Sequence, residues 1–155
     1  MKKFGKILAG ICSVLCLAVV LGCTAEKKPI TAQEFSQRME QEGYAILDVT
    51  DQFEGQVLSA TLAIEQDGAY QIEFFEVETE QQAKTAFAQN KATFESEQGA
   101  VSSKYENNGR NFSVYVQTSN GKYSYVCRVG QTFIYASVPE QNKDAVKSAI
   151  KSLGY

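Results

Sequence analysis

The sequence predicts an α+β domain: an antiparallel sheet of about five to seven strands built from hairpins, with three helices mainly on one face. Three observations carry this. Residues 112–138 hold alternating β-branched and aromatic runs on either side of Asn120-Gly121. Asn-Gly is the strongest short hairpin signal, because both central residues of a type I′ turn need positive φ. Two capping boxes, Thr31-Ala32-Gln33-Glu34 and Thr79-Glu80-Gln81-Gln82, each open a run with helical spacing. Hairpin and helix signals also interleave along the chain, which gives an antiparallel sheet with packed helices rather than a parallel one.

Pairing outward from Asn120-Gly121 sets Val116 opposite Tyr125, Val114 opposite Cys127 and Phe112 opposite Val129, which makes one apolar face. The other parity pairs Gln117 with Ser124, Tyr115 with Val126 and Ser113 with Arg128, mostly polar. A second tight turn at Gly130-Gln131 adds Thr132 to Val138. Ile134, Ala136 and Val138 join the core face, and Phe133 and Tyr135 fall on the outer one.

Taken in order, Ile30 and Phe35 occupy the staple positions around the first capping box. A helix therefore starts at Ala32, shows Phe35 and Met39 on one face and ends near Gly43. Tyr44 to Val49 reads as a strand, followed by a loop from Thr50 to Gly55. Leu58, Ala60, Leu62 and Ile64 alternate with smaller or polar residues before a turn at Asp67-Gly68. A three-residue loop, Gln66-Asp67-Gly68, pairs Ile64 with Tyr70, Leu62 with Ile72 and Ala60 with Phe74, and keeps one apolar face. The two-residue Asp-Gly loop would instead set Leu62 against Glu73 and mix the faces. After the second capping box, Ala83, Ala86, Phe87, Asn90 and Phe94 recur at helical spacing. Val101 to Tyr105 adds a strand, and Pro139 opens a last helix with Val146, Ala149, Ile150 and Leu153 on its apolar stripe. Hairpin then helix thus occurs twice, a weak tandem repeat with Glu80-Gln81-Gln82 and Glu140-Gln141-Asn142 at the two helix starts.

Residues 1–22 stand apart. Lys2, Lys3 and Lys6 precede an apolar run from Ile7 to Leu21 with no acid, the pattern of a secretory signal. It ends in Val20-Leu21-Gly22-Cys23, which resembles the lipobox of bacterial lipoproteins. The resemblance implies cleavage before Cys23, lipidation of Cys23 and a mature chain anchored to the extracytoplasmic face of a cell membrane. The expected organisation is a leader at 1–22, the lipidated cysteine with a short polar tether at 23–29, and one globular domain at 30–155. Cys12 and Cys16 then leave with the leader. Cys127 remains as a lone thiol on the core face beside Val114 and Ile134, where it acts as a small hydrophobe.

Without its three leader lysines the chain carries 12 basic residues against 18 acids, a net charge of −6. No basic run or arginine-aromatic interleaving follows the leader, so nucleic acid is excluded as a partner. The chain has no histidine and no tryptophan, which removes every histidine-dependent triad and makes zinc a poor fit. Asp48, Asp51 and Glu54 lack the spacing of a calcium loop, and Glu73, Glu76, Glu78 and Glu80 straddle a strand end and a helix start. No catalytic residue, metal site or cofactor is expected.

The outer face of the meander draws attention instead. Tyr115, Val126 and Tyr135 lie side by side across three strands, with Phe133 next to Arg128 in the adjoining row. This row is a contact surface for a protein or small ligand, or ordinary sheet tyrosine that tolerates half exposure, or it is covered by the amino-terminal helix. The expected function is that of a membrane-anchored, non-catalytic binding or interaction domain. The alternative is a small carboxylate-based hydrolase or calcium-dependent module of the envelope.

Overall fold

The computed structural model describes residues 26–155, so the leader and Cys23 lie outside the described residues. Helix α1 (Ala32–Gln41) opens on the expected capping box: the Thr31 hydroxyl accepts from the Glu34 N–H at 3.1 Å, and the Glu34 carboxylate accepts from the Thr31 N–H at 2.9 Å. Its end is a Schellman motif. Gly43 adopts φ 91° and donates to the Glu40 carbonyl, while Tyr44 donates to the Met39 carbonyl, each at 3.0 Å.

Strands β1 (Ala45–Asp48), β2 (Ser59–Ile64) and β3 (Gln71–Glu76) form one meander, followed by α2 (Glu80–Ser96). Strands β4 (Ser102–Asn108), β5 (Phe112–Ser119), β6 (Lys122–Val129) and β7 (Thr132–Pro139) form the second, followed by α3 (Lys143–Ser152). The seven strands make one antiparallel sheet in the order β1-β2-β3-β7-β6-β5-β4. In the second meander the expected register is observed pair for pair, from Phe112 opposite Val129 to Ser119 opposite Lys122, and from Cys127 opposite Ile134 to Val126 opposite Tyr135. Asn120 and Gly121 have φ of 53° and 72°, as a type I′ turn requires.

Helices cover both faces of the sheet. Phe35 and Met39 of α1 and Val146, Ala149, Ile150 and Leu153 of α3 join a core with Ile72, Phe74, Cys127 and Ile134. Helix α2 lies on the opposite face over β5, β6 and β7, with Ala83, Phe87 and Phe94 buried against the sheet. Two of the three helices thus share a face, and the third does not.

The double cover explains a correction in the first hairpin. Ile64 pairs with Gln71, Leu62 with Glu73 and Ala60 with Phe75, one residue away from the expected register. That expectation assumed one dry face and one wet one. Here Ala63, Ile72 and Phe74 belong to the α1 and α3 core, whereas Ala60 and Phe75 belong to the apolar cluster around Phe133 on the α2 side. With both sides dry, a mixed pattern is the stable one. The loop closes between Glu65 and Tyr70, where the Glu65 N–H donates to the Tyr70 carbonyl at 3.0 Å.

Two other expectations shift. Pro139 ends β7 and leads into a 3-10 turn (Glu140–Asn142), so α3 starts at Lys143. The tandem repeat is one of sequence order only. A dyad normal to the sheet between Phe74 and Ile134, which pair directly, would keep both following helices on one face, and α2 and α3 lie on opposite faces.

Glu26 to Pro29, expected as tether, lies against the body. Asn111 accepts from the Lys27 N–H at 3.0 Å and donates to the Lys27 carbonyl at 2.7 Å. The Lys27 ammonium donates to the Gly154 carbonyl at 2.9 Å and sits 5.5 Å from the Phe112 ring centroid.

Cys127 is fully buried, and burial pushes its thiol pKa up to about 12. It therefore stays protonated and inert at neutral pH. Native protein should leave Cys127 unlabelled by a bulky thiol reagent, as read by peptide mass mapping, until denaturant is added. Cys127→Ala should lower unfolding stability by on the order of 1 kcal/mol.

Candidate functional site

The aromatic row, which could be a contact surface or a covered face, is core. Tyr115 is 2% exposed, Val126 0%, Arg128 5% and Phe133 7%, and Tyr135 is half-buried. The cover is α2 rather than the amino-terminal helix. Phe87 and Phe94 of α2 cluster with Tyr115 and Val126, and the Phe94 and Tyr135 rings stack with centroids 5.4 Å apart. Phe133 stacks on Phe75 at 4.6 Å. The row is apolar because a helix rests on it.

The polar residues of that face tie down the two ends of α2. Arg128 donates to the Glu80 carboxylate in the first turn of α2 at 3.2 Å and to the Asn111 carbonyl at 3.3 Å. At the other end, the buried Gln117 donates to the Phe94 carbonyl at 2.6 Å and accepts from the Tyr115 hydroxyl at 3.0 Å. That satisfies one of the helix's orphan carbonyls. Asn120 adds a bond to the Glu97 carbonyl at 3.1 Å. Arg128, expected at a contact surface, is a structural clamp.

Beside α2 a cleft of about 560 Å³ remains, floored by Phe75, Phe133 and Tyr135 and rimmed by amides such as Gln56, Gln82 and Gln89. Glu73 also lines it, with its carboxyl pKa raised by burial and its oxygen accepting from Gln71 at 2.8 Å. The acids of the first loop do not converge. Asp48 accepts from the Thr50 N–H at 2.8 Å and so orders the 3-10 turn (Thr50–Phe53). Among the described residues, no group of three or more metal-ligating side chains comes together.

A larger opening lies on the other face. The sheet is seven strands wide, and α1 and α3 leave the β4 and β5 side of this face partly uncovered. The result is a cleft of about 710 Å³, within the usual range for small-ligand sites. Its floor is Val114, Val116, Tyr123 and Tyr125, and its outer wall includes Tyr105 on edge strand β4, 57% exposed. Its inner wall is the outward side of α3, with Lys143, Asp144, Lys147, Ser148 and Lys151. The Lys143 ammonium lies 5.8 Å from the Tyr123 ring centroid, within cation–π range. None of Lys143, Lys147 and Lys151 makes an ion pair among the described residues. The signal for this site was present in the sequence as three lysines spaced four apart beside the apolar stripe of α3. Only the absence of a helix over β4 and β5 turns that stripe into a cleft wall.

No protein-family model matches the chain, and no curated protein is significantly similar to it.

Tyr115→Ser combined with Tyr135→Ser should lower stability by about 4 kcal/mol, because both side chains pack under α2. Thermal or denaturant melts check this.

Carboxyl environments predict the acid response. Glu80 is held below its ordinary value by Lys84 first and then by Arg128, Glu106 by Lys91, Glu34 by the Thr31 amide and Asp48 by Thr50. A carboxyl lowered in the folded state contributes stability above its unfolded pKa and loses it as pH falls through the folded one. Melting temperature should therefore drop as pH falls below the ordinary glutamate value of 4.5. Glu73 has the opposite sign, so Glu73→Gln should raise the melting temperature at pH 7 and leave it unchanged well below pH 4.

Proposed function

We propose that this chain is a lipid-anchored extracytoplasmic protein whose domain binds a ligand without catalysis. The observation that carries the binding half is the α3 cleft, where an apolar and tyrosine floor meets three lysines that make no ion pair among the described residues. Ligand sites combine such a mostly apolar lining with a few convergent polar groups. The anchoring half rests on the leader and on Val20-Leu21-Gly22-Cys23.

The non-catalytic reading is supported by the residue inventory. Without histidine, a general base would have to be a carboxylate or lysine with a shifted pKa, placed beside a nucleophile. The acid raised by burial, Glu73, stands on the α2 side among amides and aromatic rings. Asp144 is the acid in the α3 cleft lining. Neither makes a carboxylate pair of the kind a hydrolase needs.

Thr24 and Ala25 alone separate Cys23 from Glu26, and Lys27 is already bonded to Asn111 and Gly154. Three residue steps span at most about 10 Å. A lipid on Cys23 therefore holds the domain against the membrane, with the Asn111 and Gly154 end nearest the surface.

Cys23→Ser should abolish membrane retention: the protein should appear in the medium or accumulate as uncleaved precursor. Detergent-phase partitioning and the size of the mature chain test this, and partitioning unchanged by the substitution would sink the anchored reading.

A further inference from the structure

Resting on the binding reading above, we propose that the α3 cleft takes an anionic amphiphile, a phosphate or carboxylate carried on an acyl chain, drawn from the membrane that holds the anchor. Charge comes first. Lys143, Lys147 and Lys151 form one stripe along the cleft, and Asp144 is the acid among its lining residues. The chain as a whole carries −3, so the local sign is opposite to the global one and selects an anion.

The floor supplies the second constraint. Val114 and Tyr125 form the base of the cleft, Val116 is half-buried there, and Tyr105 stands 57% exposed at its outer wall. An inorganic anion would meet the lysines and leave the apolar surface of Val116 and Tyr105 uncovered. A neutral chain would cover the floor and leave the lysines unpaired. A charged head on an acyl chain satisfies both, with the head under the lysine stripe and the chain on the floor.

Direction is the third. From Lys143 to Lys151 the helix runs about 12 Å, at 1.5 Å per residue. Its Lys151 end adjoins Gly154, whose carbonyl accepts from Lys27, and Tyr155, whose hydroxyl contacts the Ile30 N–H at 3.5 Å. That end of the cleft is therefore next to the segment that follows the anchor. An amphiphile leaving the bilayer meets Lys151 first.

The test uses the full chain on phosphatidylcholine vesicles with octyl phosphate as the probe. A ligand that binds only the folded state raises the melting temperature in a saturable way. Octyl phosphate should do so. Octyl glucoside and inorganic phosphate should not, and 0.5 M salt should weaken the effect, since exposed charges are screened at about 4 Å under such conditions. Lys147→Gln with Lys151→Gln, both exposed, should keep the unliganded melting temperature and weaken the apparent affinity about tenfold. Val116→Glu, which places a like charge on the floor, should abolish the shift. Equal shifts with octyl glucoside, a shift with inorganic phosphate alone, tighter binding of a polyglutamate peptide, an unaffected lysine double variant, or no shift with any probe would each overturn the proposal. Co-sedimentation of the same samples reports the anchor separately. Protein that stays in the supernatant yet shifts with octyl phosphate keeps the ligand class and loses the anchored reading.

Discussion

Strand β6 has no wet face. Every residue from Tyr123 to Val129 is buried, including Ser124 and Arg128, and the rest of the structure answers to that constraint. A strand buried on both sides needs a layer above and a layer below. Helices α1 and α3 supply one and α2 the other. Large aromatic side chains dominate each contact: Phe35 stacks on Phe74 at 4.9 Å on one face, and Phe94 stacks on Tyr135 at 5.4 Å on the other. The three-layer arrangement follows from what β6 buries.

Buried polar residues of the sheet hold the second layer in place. Helix α2 starts on its Thr79 capping box, and near its end the buried Phe94 carries a carbonyl that would be costly to leave unsatisfied. Arg128 and Gln117, both on the α2 face of the sheet, reach the two ends of that helix. Lys91 adds a surface tie, with its ammonium 2.6 Å from the Glu106 carboxylate and 5.2 Å from the Tyr115 ring centroid. That pair is partly exposed, so it orients the helix more than it stabilises it.

Clefts follow from a mismatch of widths. Seven strands at about 4.8 Å spacing make a sheet roughly 29 Å across, while a packed helix covers about 10 Å. Two helices leave the β4 and β5 side of their face short of cover, and one helix leaves gaps on the other. What lines each gap decides its chemistry. Beside α2 the rim is amide, and beside α3 it is lysine. Edge strand β4 stays exposed along nearly its whole length, and its alternate Lys104 and Glu106 blunt it against edge-to-edge pairing.

Local chemistry was legible in the sequence. The capping boxes at Thr31 and Thr79, the positive φ at Asn120 and Gly121, the pairing of β6 with β5 and β7, and the burial of Cys127 all depend on residues close in the chain or on strand parity, so they could be read without a fold. The first hairpin's register, the clamp role of Arg128 and the cover over Tyr115 and Val126 could not. Parity says which side chains share a face, but it does not say what lies on that face. The sequence by itself determined that Tyr115, Val126 and Tyr135 form one apolar row with Phe133 in the adjoining one, and that Lys143, Lys147 and Lys151 recur four apart. Only the tertiary structure decided that the row is core and the stripe a cleft wall. The reason is physical: which face a helix crosses to is set by contacts between residues far apart in sequence, and those contacts exist only once the sheet has formed.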